Sequence, residues 1–188
     1  MTRKVQRFIT AFVTCLSLWW PLTSSASEYD ALFKRSAETF MPSVDWRLWK
    51  AQVKAESAFK AGAVSPVGAM GLSQIMPATF KEIAERSGIK GQPFDPETNL
   101  MSGAWYMARQ RAIFKAPRPG YEKHALACAA YNSGAQNIID AQKLAGNPPE
   151  WQPVADKLHL VTGKHAKETV DYVKKIRSFH RAYLISGD

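Results

Sequence analysis

Glu56 is the carboxylate whose setting invites chemistry. It stands near the end of an amphipathic pattern that begins after Asp45, three residues past Val53 and seven past Trp49. That spacing puts it beside an apolar stripe of a helix. A carboxyl next to aromatic and aliphatic groups loses hydration, which raises its pKa and favours the protonated acid. A run broken by Gly62, Pro66, Gly68 and Gly71 follows at once. It closes on Gly71-Leu72-Ser73-Gln74 before a new helix at Pro77. A helix-end carboxyl facing such a loop can form one wall of a cleft. Cleavage of a glycosidic bond normally takes two carboxylates flanking it. No second acid has like support: Asp45 reads as a cap, Asp95 falls in a loop, and Glu168 opens the last helix. A lone acid suffices where the substrate supplies its own nucleophile, through the amide oxygen of an N-acetyl sugar or through a sugar hydroxyl. By spacing alone, an ordinary helix glutamate accounts for Glu56 at least as well.

Other chemistries find less footing. His124, His159, His165 and His180 show no metal-ligand spacing, and no HExxH occurs. There is no GxSxG elbow and no phosphate-binding loop. Cys128 sits inside an apolar helical pattern and reads as a small buried residue rather than a nucleophile. The basic residues are scattered, without a patch or module that reads nucleic acid. Nothing calls for a metal or a cofactor.

The elements that must position Glu56 are helical. Glu28 to Phe40 has Tyr29, Leu32, Phe33, Ala37 and Phe40 on one side, and Met41-Pro42 ends it. Asp45 caps the next helix, which runs to about Phe59, with Lys50 and Lys54 pointing away from its apolar stripes. Pro77 suits the first turn of a helix reaching Ser87, with Gly88 as its stop. Helices follow over Glu97 to Phe114, Tyr121 to Tyr131, and Gln136 to Leu144. Tyr121 to Tyr131 is almost all small and apolar, as the central, closely surrounded helix of a domain would be. The segment GNPPEWQP is rich in turn residues, and a last helix spans Lys167 to Leu184. With no repeat and no convincing strand, the expected fold class is all-α or nearly so.

The chain has 188 residues, enough for one domain, and is 46% hydrophobic. Its start reads as a secretory signal: basic Arg3, Lys4 and Arg7, an apolar run from Phe8 to Leu22, and Ser24-Ser25-Ala26 before cleavage after Ala26. The rival reading is an uncleaved anchor, for which the run is short. Cys15 lacks the context of a lipoprotein signal. Removing residues 1–26 leaves 22 basic against 16 acidic residues, a net +6, and one cysteine, Cys128. Residues 27–188 would then be one exported domain with no membrane span. It would rest on its core rather than on a disulfide, with a mild preference for anionic surfaces.

Four separated motifs sharpen this reading: Glu56-Ser57, GLSQIMPAT at 71–79, AYNSG at 130–134, and Glu168-Thr169 with Tyr172-Val173. In that order they resemble the SLT-type lytic transglycosylases, over about Val44 to Ile176. The resemblance implies the lysozyme-like helical fold of the goose-type lysozymes. It also implies cleavage of the β-1,4 bond between N-acetylmuramic acid and N-acetylglucosamine in peptidoglycan, leaving 1,6-anhydromuramyl ends. Glu56 matches the family's catalytic glutamate, acting first as acid and then as base. Ser57 and Gln74 match polar residues of the cleft; a helix-end hydroxyl and a loop-to-backbone bond are their structural alternatives. Tyr131 matches the tyrosine whose hydroxyl reaches the carboxylate or the acetamido group. Asn132 either binds the substrate or caps its helix. Glu168 either contacts sugar or favours a helix N-terminus, and Tyr172 either faces the cleft or is core. Small members of this family often serve a secretion or conjugation apparatus or a phage, so envelope-machine components are expected partners beside the glycan strands. The site of action would be the periplasm or cell envelope. The competing readings are a wall-binding assembly subunit without turnover and a lysozyme-type hydrolase. Three positions depart from the family pattern: Ser73 where Met is common, AYNSG for AYNAG, and Lys60-Ala61-Gly62 after the catalytic helix. At Ser73 the smaller polar residue is expected to loosen packing under the glutamate or to alter a sugar contact.

Overall fold

The computed structural model of the chain describes residues 28–187. The signal expected over residues 1–26 lies outside them. The order is α1 (Asp30–Phe40), α2 (Trp46–Ser57), α3 (Pro77–Ser87), α4 (Pro96–Ile113), α5 (Gly120–Ser133), α6 (Ala135–Leu144), α7 (Trp151–Thr162), a 3-10 turn at Gly163–His165, and α8 (Ala166–Ser186). Among the described residues the only β structure is two isolated bridges, Val64 with Met70 and Met70 with Ile75. No helix among them is long and apolar enough to cross a membrane.

The helix ends follow local chemistry. The Asp45 carboxylate accepts the Arg47 N–H at 3.0 Å and starts α2. Asp95, expected in a loop, instead caps α4 by accepting the Thr98 N–H at 2.8 Å. Pro77 opens α3, and Gly88 ends it with φ +75°.

Two helices form the interior. In α5 every residue from His124 to Ala130 is buried, as its small apolar composition predicts. Small side chains let α4, α6 and α8 approach it on several sides. The other interior helix is α2, buried without a break from Leu48 to Val53. Lys50 and Lys54 therefore do not point away. Lys50 is only 2% exposed. Its ammonium pairs with Asp30 at 2.8 Å and lies 4.7 Å from the centre of the Tyr183 ring. Lys54 stands 4.7 Å over Phe179. The pairing and the aromatic faces of α8 offset the loss of hydration that would otherwise keep both lysines in water.

The segment expected to be turn-rich yields a helix the sequence reading lacked. α7 begins at Trp151, inside GNPPEWQP. Pro153 falls in its first turn, where the missing N–H has no helical partner to lose. The Trp151 N–H donates to the Glu122 carboxylate at 2.7 Å. Trp151, Val154, Ala155 and Leu158 then bury the i, i+3, i+4, i+7 face.

Helix α4 meets the loop after α2 at Gly103. A Cβ there would lie 2.5 Å from Ser73 Oγ and 2.7 Å from the Trp49 ring, so only a glycine lets α4, α2 and the loop touch at one point.

Candidate active site

Glu56 projects from the last turn of α2. The helix stops one residue later, at Ser57, because Ala58 and Phe59 take left-handed conformations with φ +51° and +66°. Phe59 is buried, with its ring centre 5.7 Å from that of Phe33, and this anchors the unusual exit. Glu56 is part-buried, and its carboxylate accepts a hydrogen bond from the Tyr172 hydroxyl, one end of which lies in α2 and the other in α8. Burial pushes the Glu56 carboxyl up from 4.5 to about 7. The Tyr172 hydrogen bond and the Lys175 ammonium pull it partly back. The expected elevation is thus present, with desolvation as its cause.

The opposite wall is the loop between α2 and α3. Backbone hydrogen bonds give it shape: Gly71 N–H to Ala63 O at 2.8 Å, and Met70 and Ile75 exchanging bonds at 2.9 and 3.1 Å. Asn99 of α4 holds it from behind. Its amide donates to Met70 O at 3.2 Å and Pro93 O at 2.6 Å, and its carbonyl accepts the Ser73 N–H at 2.7 Å. Gly71 has φ +73°, and a Cβ there would fall 2.3 Å from the Asn99 amide nitrogen. Asn99 was missed in the sequence, where one asparagine in a helical turn carries no signal.

The expected site residues divide. Gln74 keeps φ +47° and donates its amide to Gly71 O at 2.9 Å and Ala63 O at 3.3 Å, the loop-to-backbone alternative. It also lines a small pocket of about 90 Å³ with Met76, Thr79, Tyr106 and Tyr131. The Tyr131 hydroxyl donates not to Glu56 but to Ser73 O at 2.8 Å. Its ring meets Tyr106 edge-on, with centres 5.1 Å apart. Burial, then the Glu56 charge, hold the Tyr131 hydroxyl protonated. Tyr172 is both buried and functional in placement, since it is the hydroxyl that reaches the carboxylate.

Ser57 is buried and turns back into its own helix, donating to Val53 O at 3.4 Å, the helix-end alternative. Asn132 does not cap α5, which ends at Gly134. Its side-chain oxygen accepts the Thr169 hydroxyl at 2.8 Å. Asn132 and the exposed Glu168 line a pocket of about 400 Å³ with Asn137, His165 and Thr169. Ser73 is fully buried against α4, so its side chain makes no sugar contact. Cys128 is buried too. Its thiol donates to Gln52 at 3.6 Å, and burial pushes its pKa far up, so it is not a nucleophile.

The helical frame thus brings one half-buried acid, a tyrosine hydroxyl on that acid and a glycine-rich loop into one neighbourhood. The chain belongs to the transglycosylase SLT domain family, whose model matches residues 34–153. It is 30% identical over 162 residues to a membrane-bound lytic murein transglycosylase F of Serratia proteamaculans (strain 568), over 78% of this chain and 32% of that protein. It also resembles the structure of an inactive Glu-to-Gln mutant of the lytic transglycosylase Slt from Pseudomonas aeruginosa. There the TM-score is 0.65 and the identity 28%, over 81% of this chain and 23% of that one. The 70 kDa soluble lytic transglycosylase of Escherichia coli matches with a TM-score of 0.64 and 25% identity, over 83% of this chain and 24% of that one. The chain spans about a third of the length of the curated relative.

Proposed function

We propose that residues 27–188 are a catalytic domain that cleaves peptidoglycan without water. One observation carries this reading: a carboxyl in the last turn of α2 that accepts the Tyr172 hydroxyl from α8, with burial raising it to about 7. Near neutral pH such a group is present in both forms, as a residue that serves first as acid and then as base requires. Protonated Glu56 gives its proton to the oxygen that bridges N-acetylmuramic acid and N-acetylglucosamine, and that bond breaks. The 2-acetamido group stabilises the muramyl C1. The C6 hydroxyl of the same sugar then attacks C1 and yields its proton to the Glu56 carboxylate. The acid is restored and a 1,6-anhydro ring closes. Tyr172 positions the carboxylate. Gln74 and Tyr131 bind the glycan from the small pocket they share, and Asn132 and Glu168 from the larger one. Ser57 supports the helix only.

The family match and the named activities of the relatives support this assignment. Residues 1–26 serve as a signal that delivers the domain to the periplasm or cell envelope. The wall there is the substrate, and an envelope-spanning machine is the partner. Digestion of purified peptidoglycan tests the reaction by product mass. Anhydromuramyl ends are expected; reducing ends with water incorporated would make the protein a lysozyme-type hydrolase. Binding without release of soluble muropeptides would make it an assembly subunit.

A further inference from the structure

We propose that Gln52 is a positioning residue for Glu56: its side-chain amide, steadied by the Cys128 thiol, closes onto the carboxylate whenever Glu56 is ionised. This inference rests on the reading of Glu56 as acid and then base. Gln52 lies four residues before Glu56 in α2, so the two side chains share one face of the helix, a turn apart. The same register is closed twice elsewhere in the chain. Gln136 donates its amide to the Asp140 carboxylate at 2.9 Å in α6, and Gln152 donates to Asp156 at 2.8 Å in α7. Both of those pairs are exposed. The pair at 52 and 56 is turned inward, and in this structure it stands open. Gln52 is fully buried, and its amide nitrogen has no hydrogen-bond partner among the described residues.

The other end of the carboxamide is occupied. Its oxygen accepts the Cys128 thiol of α5 at 3.6 Å. Cys128 stands three residues before Tyr131, within reach of the Glu56 charge. Burial, then that charge, push the thiol far up, so it remains a neutral donor. With the oxygen held by the thiol, the amide nitrogen is the end left to serve the acid. A buried donor without an acceptor is costly. Glu56 becomes a much stronger acceptor when it loses its proton.

The Tyr172 hydroxyl already donates to Glu56 Oε1. A second donor to that oxygen leaves Oε2 to give up the proton and take it back. Both bonds favour the charged form, against the desolvation that opposes it. The other titratable groups acting on or feeling Glu56 are Tyr172 and Lys175 of α8 and Cys128 and Tyr131 of α5. A substitution at Gln52 leaves all four in place.

The test follows the Glu56 carboxyl by carbon NMR in isotope-labelled protein, comparing wild type with Gln52→Met. Methionine keeps the length of the side chain and removes the amide. The titration midpoint should move up by about one unit, and the alkaline limb of the peptidoglycan-cleavage profile should move with it. Gln136→Met, at an exposed pair of the same register, should leave the midpoint where it is. A merely structural Gln52 would change the unfolding midpoint and not the titration. Should Gln52→Met fail to fold, Cys128→Ala frees the carboxamide oxygen with Gln52 still present. It should move the titration in the same direction, and Cys128→Ser, whose hydroxyl still donates, should restore it. An unmoved titration in Gln52→Met or Cys128→Ala, or an equal shift in Gln136→Met, would overturn the role of Gln52. If anhydromuramyl ends still form in that case, the transglycosylase reading survives. A shifted titration in a protein that releases no such ends would sink that reading and leave the Gln52 contact standing.

Discussion

Replacing Glu56 by glutamine should make the protein more stable at alkaline pH, by an amount the structure sets. The folded carboxyl titrates near 7 against 4.5 when free. Folding therefore tightens its hold on a proton. Stability from this group is complete below 4.5, declines as pH rises, and is lost above about 7. At about 1.4 kcal/mol per unit, the gap amounts to about 3 kcal/mol. Glutamine has the same shape, still accepts the Tyr172 hydroxyl through its side-chain oxygen, and never ionises. Urea unfolding of both proteins at a series of pH values from 4 to 8.5 isolates the effect, because every other titrating group cancels in the difference. The two stabilities should be similar near pH 4 and separate by about 3 kcal/mol by pH 8. In thermal melts that corresponds to about 6 to 12 °C for a chain of this size. Curves that stay parallel would refute the claim that burial raises this carboxyl, and with it the argument that one residue serves as acid and then base.

Further outcomes follow from neighbouring contacts. Tyr172→Phe removes a hydrogen bond that lowers the Glu56 pKa, so the alkaline limb of the pH–rate profile should move up by about one unit; an unmoved limb would show that Tyr172 does not act on Glu56. Asn99→Ala leaves the buried Ser73 N–H without its acceptor and takes a donor from Met70 O and Pro93 O, and should cost about 2 kcal/mol in urea unfolding; a loss under about 0.5 kcal/mol would contradict its role as the anchor of the loop. Ser73→Met overfills a site closed by Gly103 and should destabilise by about 1–3 kcal/mol, with an unchanged melting temperature as the contrary result.

The helices from α1 to α6, and α8, were legible because each announces itself by period, cap or breaker. The Glu56 environment was legible for the same reason: spacing from Trp49 and Val53 places it beside apolar neighbours. What escaped were matters of tertiary packing. Lys50 and Lys54 look solvent-facing until the aromatic face of α8 is brought against them, and no local pattern announces that. The α7 helix hid behind prolines whose cost depends on their exact place in the first turn. Tyr131 and Tyr172 were both singled out, yet which hydroxyl meets the carboxylate depends on how far α5 and α8 stand from α2. Asn99 and Tyr106 act across elements distant in sequence, so spacing could not reveal them.

Gly103 gives the cleft an unusual kind of gauge. It has no side chain, and yet it sets how closely α4 approaches Trp49 of α2 and Ser73 of the loop. Adding volume there would act as a shim, moving the Ser73 loop relative to Glu56 while leaving the chemistry of both intact. Residues 73 and 103 thus form a volume pair, in which one can grow only as the other gives way. The spacing between the loop and α4 can be tuned at this pair without touching Glu56 or Tyr172.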